Sequence, residues 1–319
     1  MNTFLTESLP AIHPSIGLLE SSILRTLLYF DIFHHPLRAE EIRKYLRDGD
    51  VEEEQFRDSL RSLQHRRLVL SGHNFYSVRP VDELARRRMD GETRAGKAMK
   101  KAGKYAGIMA AFPFVRGVCI SGSLSKGTME PGADIDYFIM THPGRLWLAR
   151  TFLVGFKKIF LLNSRKYFCV NYFVTSDNLH IPDQNIFTAT EAATLIPFYN
   201  KDLYESFIQS NEWIRAYYPH FRSHDGSWCM KEKKHRLKKI LEAVFGGSFG
   251  KKLDNFCLAI TLKFWKRKFS ELDASTFEHR LRSRKNVSKH HPQGFQDKVL
   301  QAYEAKIQKF EDLHSLSLS

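Results

Sequence analysis

Cysteine is scarce in this sequence: four residues among 319, at positions 119, 169, 229 and 257. No two stand at the spacing of a zinc or redox motif, which argues against a cysteine-ligated metal or a dithiol centre. Cys119 and Cys169 lie inside apolar runs and are expected as small core residues, so a reducing, cytoplasmic setting is expected. The opening stretch Met1–Pro10 lacks both a basic region and a continuous apolar run, and does not read as a signal peptide. Long apolar runs are missing elsewhere too. The nearest, Leu146–Leu162, is interrupted by Arg150, Lys157 and Lys158. That pattern predicts an amphipathic helix rather than a span, and no membrane partner is expected. No repeat and no low-complexity segment is visible, which excludes solenoid and fibrous architectures.

Acidic residues are also in short supply. Lys and Arg number 49 against 35 Asp and Glu, a net charge of +14. The excess is uneven: Lys231–His291 holds 17 basic and 6 acidic residues, so about +11 falls there. Two readings stand side by side, a solvated basic helical face or a surface for nucleic acid or a polyphosphate such as a nucleoside triphosphate.

Apolar residues at 23, 24, 27, 28 and 32 give residues 20–33 a helical period, which His34-His35-Pro36 breaks. A short helix follows over 39–46, and a third over 51–66 with Phe56, Leu60 and Leu63 on one face. Two short β-rich runs around Ser71-Gly72-His73-Asn74 then predict a hairpin. Three helices and a hairpin over residues 20–80 resemble a winged helix-turn-helix, which implies a third helix able to enter a DNA groove. That helix opens with Glu52-Glu53-Glu54 and mixes Asp58 with Arg57 and Arg61 on its outer face, so DNA contact, protein contact and simple packing all stay open.

Basic helices are expected over 81–112. Strands are expected at 115–121, 134–141 and 166–175, with a helix over 144–162 and a helical pattern from Thr188 to the end. The expected fold class is α+β: a winged-helix-like domain at 1–80, connecting helices at 81–112, a small mixed-sheet core at 113–187 and a C-terminal helical domain at 188–319.

The chemistry concentrates in Ile120-Ser-Gly-Ser-Leu-Ser-Lys-Gly-Thr-Met-Glu-Pro-Gly-Ala-Asp-Ile-Asp-Tyr-Phe-Ile-Met140. A strand runs into Gly122-Ser123, a loop follows, and Asp134 and Asp136 come next. Period two in an extended chain puts both carboxylates on one face. Two adjacent carboxylates are costly without a cation between them, and Mg²⁺ held partly by substrate phosphates resolves that cost. Gly122 lets backbone approach a phosphate, and the Ser123 hydroxyl can donate to one. Charge neutralisation and phosphate positioning are what phosphoryl or nucleotidyl transfer requires.

This segment resembles the DNA polymerase β-like nucleotidyltransferase superfamily, whose signature is a strand ending in Gly-Ser, a loop, then Asp-x-Asp on the next strand. The likeness covers residues 115–141 closely and the third strand less well. It implies that Gly122 and Ser123 bind the β- and γ-phosphates of an NTP. It implies that Asp134 and Asp136 hold two Mg²⁺ ions with that NTP, with Lys126 a loop lysine that either reaches a phosphate or stays in solvent. The expected activity is transfer of NMP to a hydroxyl of a small molecule, protein or RNA, with release of pyrophosphate. Nucleic acid is a further possible partner, through the winged helix or the basic C-terminal region.

The match departs from the family on the third strand. Active members carry a third carboxylate there, and this chain has Asn171. An amide offers a carbonyl oxygen to a cation but takes no proton near neutral pH. Asn171 is then a weak metal ligand, or the base comes from elsewhere, Asp177 being a candidate, or the site binds nucleotide without turnover and the chain is a regulator. Past that strand, the cluster Arg280, Arg282, Arg284, Lys285 and Lys289 before His290-His291 is either a basic helix end or a clamp for phosphates. The aromatics Trp213, Tyr217, Tyr218, Phe221 and Trp228 are either core or a stacking surface for a base.

Overall fold

The computed structural model describes residues 16–318, apart from 48, 50, 165 and 232–234. The reading of Met1–Pro10 lies outside the described residues. The chain is mixed α+β and divides into two compact units, residues 1–85 with 300–319 and residues 86–299.

The first unit begins with α1 (Leu18–Asp31), α2 (Ala39–Lys44) and α3 (Glu53–His65), followed by the antiparallel pair β1 (Leu70–Gly72) and β2 (Phe75–Ser77). Its core is built from Ile23, Leu24 and Leu27 on α1, Ile42 on α2, and Phe56, Leu60 and Leu63 on α3, all fully or nearly fully buried. These are the spacings that place side chains on one helical face. Leu37 forms a bridge to Tyr76, so the α1–α2 connection adds a third extended segment beside the hairpin. The end of the chain belongs to this unit. Tyr303 meets Tyr29 edge-on at 5.5 Å between centroids. The buried carboxylate of Asp31 pairs with Arg79 at 2.6 Å and with Lys306. A buried carboxylate with two cationic partners keeps its charge satisfied.

α4 (Val81–Ala110) is one continuous helix where one or two are expected. The elements after it are β3 (Val115–Ser121), a single helical turn α5 (Gly122–Ser125), β4 (Asp136–Thr141), α6 (Leu146–Phe160), β5 (Cys169–Thr175), α7 (Ile186–Ala193), β6 (Ile196–Tyr199) and α8 (Lys201–Gln209). A 3₁₀ segment at Glu212–Ala216 leads on to α9 (Arg236–Gly246), α10 (Ser248–Lys268), α11 (Ala274–Leu281), β7 (Ser283–Arg284), β8 (Val287–Lys289) and α12 (Phe295–His314).

The second unit is organised by a six-stranded sheet of order β6-β3-β4-β5-β8-β7. β4 and β5 run parallel, and the other neighbours are antiparallel. One face carries Ile120, Ile135, Tyr137, Ile139, Val170 and Phe173 against α4 and α6, with Trp147 fully buried among them. The other face carries Phe138, whose ring lies 5.1 Å from that of Phe207 on α8.

Three strands therefore arise where the sequence predicts helix only. Ile196–Tyr199, Ser283–Arg284 and Val287–Lys289 are two to four residues long. Strands this short show no legible alternation, and their pairing partners lie far away in sequence. The expected segment 188–319 is accordingly not one helical body: it supplies three strands to the sheet, and residues 300–319 belong to the first unit. The core aromatics Tyr218 and Phe221 are buried, Trp213 donates its indole N–H to Asn211 Oδ1 at 3.1 Å, and Trp228 stacks on Phe198. Tyr218 and Phe221 are thus core, while Trp213 and Tyr217 are half-buried and Trp228 is 43% exposed.

α10 is fixed to α6 by a buried carboxylate. Asp254 Oδ1 accepts the backbone N–H of Leu148 at 2.8 Å, satisfying a donor in the first turn of α6. Arg145 closes the end of α9 by donating to the carbonyls of Phe245 at 2.8 Å and Gly247 at 2.9 Å. The corner is tight at Gly250, where a Cβ would stand 1.7 Å from the Phe245 carbonyl oxygen.

Candidate functional site

The end of β3 and the starts of β4 and β5 meet in one row, because Ser121 is opposite Asp136 and Asp136 is opposite Cys169. β4 starts at Asp136, two residues later than the predicted strand, so Asp134 lies in the approach to it. That approach is already extended and tied down. The Ile135 N–H donates to Lys166 O at 3.0 Å, and the Cys169 N–H donates to Ile135 O at 3.1 Å. Ile135 is fully buried in the core, and alternation turns its neighbours Asp134 and Asp136 to the opposite face.

Gly122 follows β3 with φ of +69°, a conformation that disfavours any residue with a Cβ. A Cβ added there would stand 2.7 Å from Asp136 Oδ2. The glycine is thus required twice, by its backbone angle and by the carboxylate lying against it. Ser123 is half-buried in the turn that follows, and its carbonyl accepts the N–H groups of Lys126 at 3.0 Å and Thr128 at 3.3 Å.

Asn171 reaches the site through a bulge. Tyr137 is opposite Val170 but Phe138 is opposite Tyr172, which leaves Asn171 as the extra residue on β5. Bulges re-aim side chains, and here Asn171 Nδ2 donates to Asp136 Oδ1 at 3.2 Å and to Cys169 Sγ at 3.0 Å. Asn171 therefore does face Asp136, presenting its amide N–H to that carboxylate. Asp177 does not. It follows β5 at the end paired with Thr141, six residues beyond Asn171, about 20 Å away along the strand. It has no place in this site.

Burial pushes the Asp136 carboxyl up to about 6; Cys169 opposes the shift by hydrogen bonding, Glu191 and Asp134 add to it, and Lys126 opposes it. Burial and the Asp136 charge push the Cys169 thiol up to about 12, so at neutral pH it stays protonated and donates. Lys126 is held inside rather than in solvent. Its Nζ donates to Glu191 Oε1 at 2.7 Å and to Gly122 O at 3.1 Å. Ser125 Oγ donates to Gly122 O at 2.8 Å and lies 3.3 Å from Thr194 Oγ1, tying the same loop to the end of α7.

Glu191 is the site residue that the sequence does not reveal. It sits in an ordinary helical stretch 55 positions beyond Asp136, and α7 brings it there after the Asn185 side chain caps that helix through Thr188 N–H at 3.0 Å. His291 is the second. The two adjacent histidines split between the faces of the sheet. His290 lies 4.6 Å from the Trp265 ring, and His291 turns toward Tyr172, 6.3 Å between rings. Burial pushes His291 down to about 4, Lys289 acts in the same direction, and Glu191 opposes them. At neutral pH its imidazole is uncharged.

Of the two readings of the basic cluster at 280–289, a helix end or a phosphate clamp, the ion pairs favour the first. Arg282 and Lys289 both bond Asp183, at 2.9 and 3.0 Å; Arg280 pairs with Asp297 at 3.3 Å and Arg284 with Glu278 at 2.7 Å. Four of the five cations are paired within the fold, Lys289 buried, Arg282 mostly buried and Arg284 still largely exposed. Among the described residues, no three His, Cys, Asp or Glu side chains form a group that would hold a metal ion. Any cation here would have Asp134 and Asp136 as its carboxylates. No described helix is long and apolar enough to cross a membrane.

Comparison of the chain with protein-family models, with curated proteins and with solved structures finds no match in any of the three.

Proposed function

We propose that the corner formed by Gly122, Ser123, Asp134 and Asp136 binds a nucleoside triphosphate with Mg²⁺ and transfers the nucleotidyl group to an acceptor hydroxyl. The observation that carries this reading is the seating of Gly122 on Asp136: a left-handed glycine whose missing Cβ leaves room for a carboxylate 2.7 Å away. That contact joins the two halves of the motif in space. It agrees with the likeness of residues 115–141 to the polymerase β-like nucleotidyltransferases.

The residues fit a divalent cation on charge. Asp136 is held well above the ordinary carboxylate range chiefly by burial, to which the nearby Glu191 and Asp134 charges add and which Lys126 opposes. Mg²⁺ is commonly held by one or two carboxylates plus substrate phosphates, so Asp134 and Asp136 suffice. The cation would supply neutralisation of those carboxylates and of the phosphates. Gly122 and Ser123 would position the triphosphate through N–H and hydroxyl donors. In transfer, a bond forms from the acceptor oxygen to the α-phosphorus, the bond to pyrophosphate breaks, and the hydroxyl proton goes to a base. Glu191 is the carboxylate available beside Asp136 for that proton, since Asn171 has no basic atom.

Incubating the protein and its Asp136→Asn variant with each labelled NTP and Mg²⁺ tests this. Label transfer by the first and not the second is the expected result. The position of Asn171 favours a second reading, a nucleotide-binding regulator whose output is the winged-helix-like N-terminal unit. NTP binding by calorimetry with no transfer to any cellular fraction selects it, and absence of binding removes both. On α3, Glu53 pairs with Arg57 at 2.7 Å and Asp58 with Arg61, so two of the cations that would face phosphates are already partnered. That supports a protein-binding output over DNA.

A further inference from the structure

The largest feature left unused by the site is the outward surface of α9 and α10. On α9, Leu237, Ile240 and Val244 are 67, 60 and 57 % exposed. On α10, Phe249, Phe256, Ile260 and Phe264 are 63, 59, 52 and 59 % exposed. Spacings of 3 and 4 residues on α9, and of 7, 4 and 4 on α10, put each set on one helical face. Both opposite faces are committed to the fold. Glu242 Oε1 accepts the N–H of Phe114 and pairs with Arg116, both at 2.7 Å, and Asp254 holds Leu148. The apolar stripes therefore point away from the sheet. Scattered surface leucines need no explanation, but seven large apolar side chains on two consecutive helices form a patch of the kind that marks an interaction surface.

Charge decides what covers it. Residues 236–268 contain nine Lys or Arg and two acids, Glu242 and Asp254. Both acids are turned inward by the bonds just described. Of the cations, Lys238 is drawn in to the carbonyls of Ala110 and Val115, at 2.9 and 2.8 Å, and the other eight are exposed. The outward face is thus apolar and cationic with no exposed acid. A second copy of this chain would bring eight cations against eight. Nucleic acid would match the charge and leave the phenylalanines, isoleucines, leucine and valine uncovered or set among phosphates. An anionic bilayer surface meets both features, since acyl chains take the apolar stripe and headgroups take the lysines.

We propose that α9 and α10 form an interfacial docking surface for anionic membranes, lying in the headgroup region without spanning it. This surface is independent of the nucleotide site.

Sedimentation of the full-length protein with phosphatidylcholine vesicles, and with vesicles also containing phosphatidylglycerol, tests the proposal. Binding to the anionic vesicles at least tenfold stronger than to the neutral ones is expected, and it weakens on adding salt. The variant carrying Phe256→Ser and Ile260→Ser, both exposed positions, loses that binding while keeping its far-ultraviolet circular dichroism. The variant carrying Lys263→Ser and Lys266→Ser weakens it by roughly tenfold or more. Equal partition to both vesicle types, or binding to anionic vesicles that survives loss of the two apolar residues, overturns the proposal. So does a lipid-free dimer that Phe256→Ser and Ile260→Ser dissolve, which would show a second copy as the occupant.

Discussion

Gly122 and Asp136 are in van der Waals contact across the β3–β4 pair, with the space of a glycine Cβ taken by the Asp136 carboxylate. The contact makes Gly122→Ala a sharp probe. Alanine there costs at least about 1 kcal/mol for the left-handed backbone alone. The added methyl must also displace a half-buried carboxylate 2.7 Å away, so the expected outcome is a folded but less stable protein with no detectable NTP binding. Denaturant unfolding and calorimetry together check it, and unimpaired NTP binding would refute the role given to this corner.

Asp136→Asn is expected to stabilise the ligand-free protein while abolishing transfer. The wild-type carboxyl is raised from 3.8 to about 6 by burial, so the folded state binds its proton more tightly than the unfolded state does. A raised acid destabilises the fold wherever it is ionised. The penalty is complete above pH 6, shrinks as pH falls, and is gone below the unfolded value. The difference in pKa corresponds to about 3 kcal/mol at most. The gain from the Asp136→Asn substitution should therefore be about 1–3 kcal/mol at pH 8 and fall to about 0.5 kcal/mol or less at pH 4, measured by urea unfolding of both proteins. A gain that does not vary with pH would remove ionisation as its source.

The candidate site is legible in the sequence where it is local. Gly122, Ser123, Asp134 and Asp136 fall within fifteen residues, and alternation about the buried Ile135 suffices to align the carboxylates. Asn171 was legible as a departure, and a bulge invisible in the sequence is what turns it to Asp136. Glu191 and His291 carry no local signal, because each is brought in by pairing over long separations: α7 returning over the sheet, and the His290 N–H donating to Asn171 O at 3.0 Å. The same physics leaves the basic cluster ambiguous in the sequence. A run of Arg and Lys looks like an open clamp until Asp183, Glu278 and Asp297 arrive from other parts of the fold.

Asn171→Asp restores the carboxylate that the resemblance leads one to expect. Without metal, it sets a further negative charge against the Asp136 Oδ1 atom that the amide now bonds at 3.2 Å. The metal-free variant is expected to melt several degrees lower than the wild type at pH 8, with the difference closing once Mg²⁺ is added. Mg²⁺ affinity by calorimetry should rise. Transfer should rise with it if nucleotidyl transfer is the native activity, and should stay absent if the chain is a regulator.

Glu191 acts on two groups, Asp136 at the start of β4 and His291 just past β8, raising the carboxyl of the first and opposing the depression of the second. Removing its charge in Glu191→Gln should therefore lower both titrations together. Asp136 should ionise below its wild-type value of about 6, and His291 should protonate below about 4. Carboxyl-carbon and imidazole NMR signals followed through a pH series report the two midpoints separately. Lys126, which donates to Glu191 at 2.7 Å, would keep a neutral amide oxygen as acceptor, so the loop need not open. A coordinated downward shift places Glu191 between the carboxylate row and the histidine, where a proton-accepting group would have to stand. A shift confined to one of the two would separate it from the other and leave the base to be sought elsewhere.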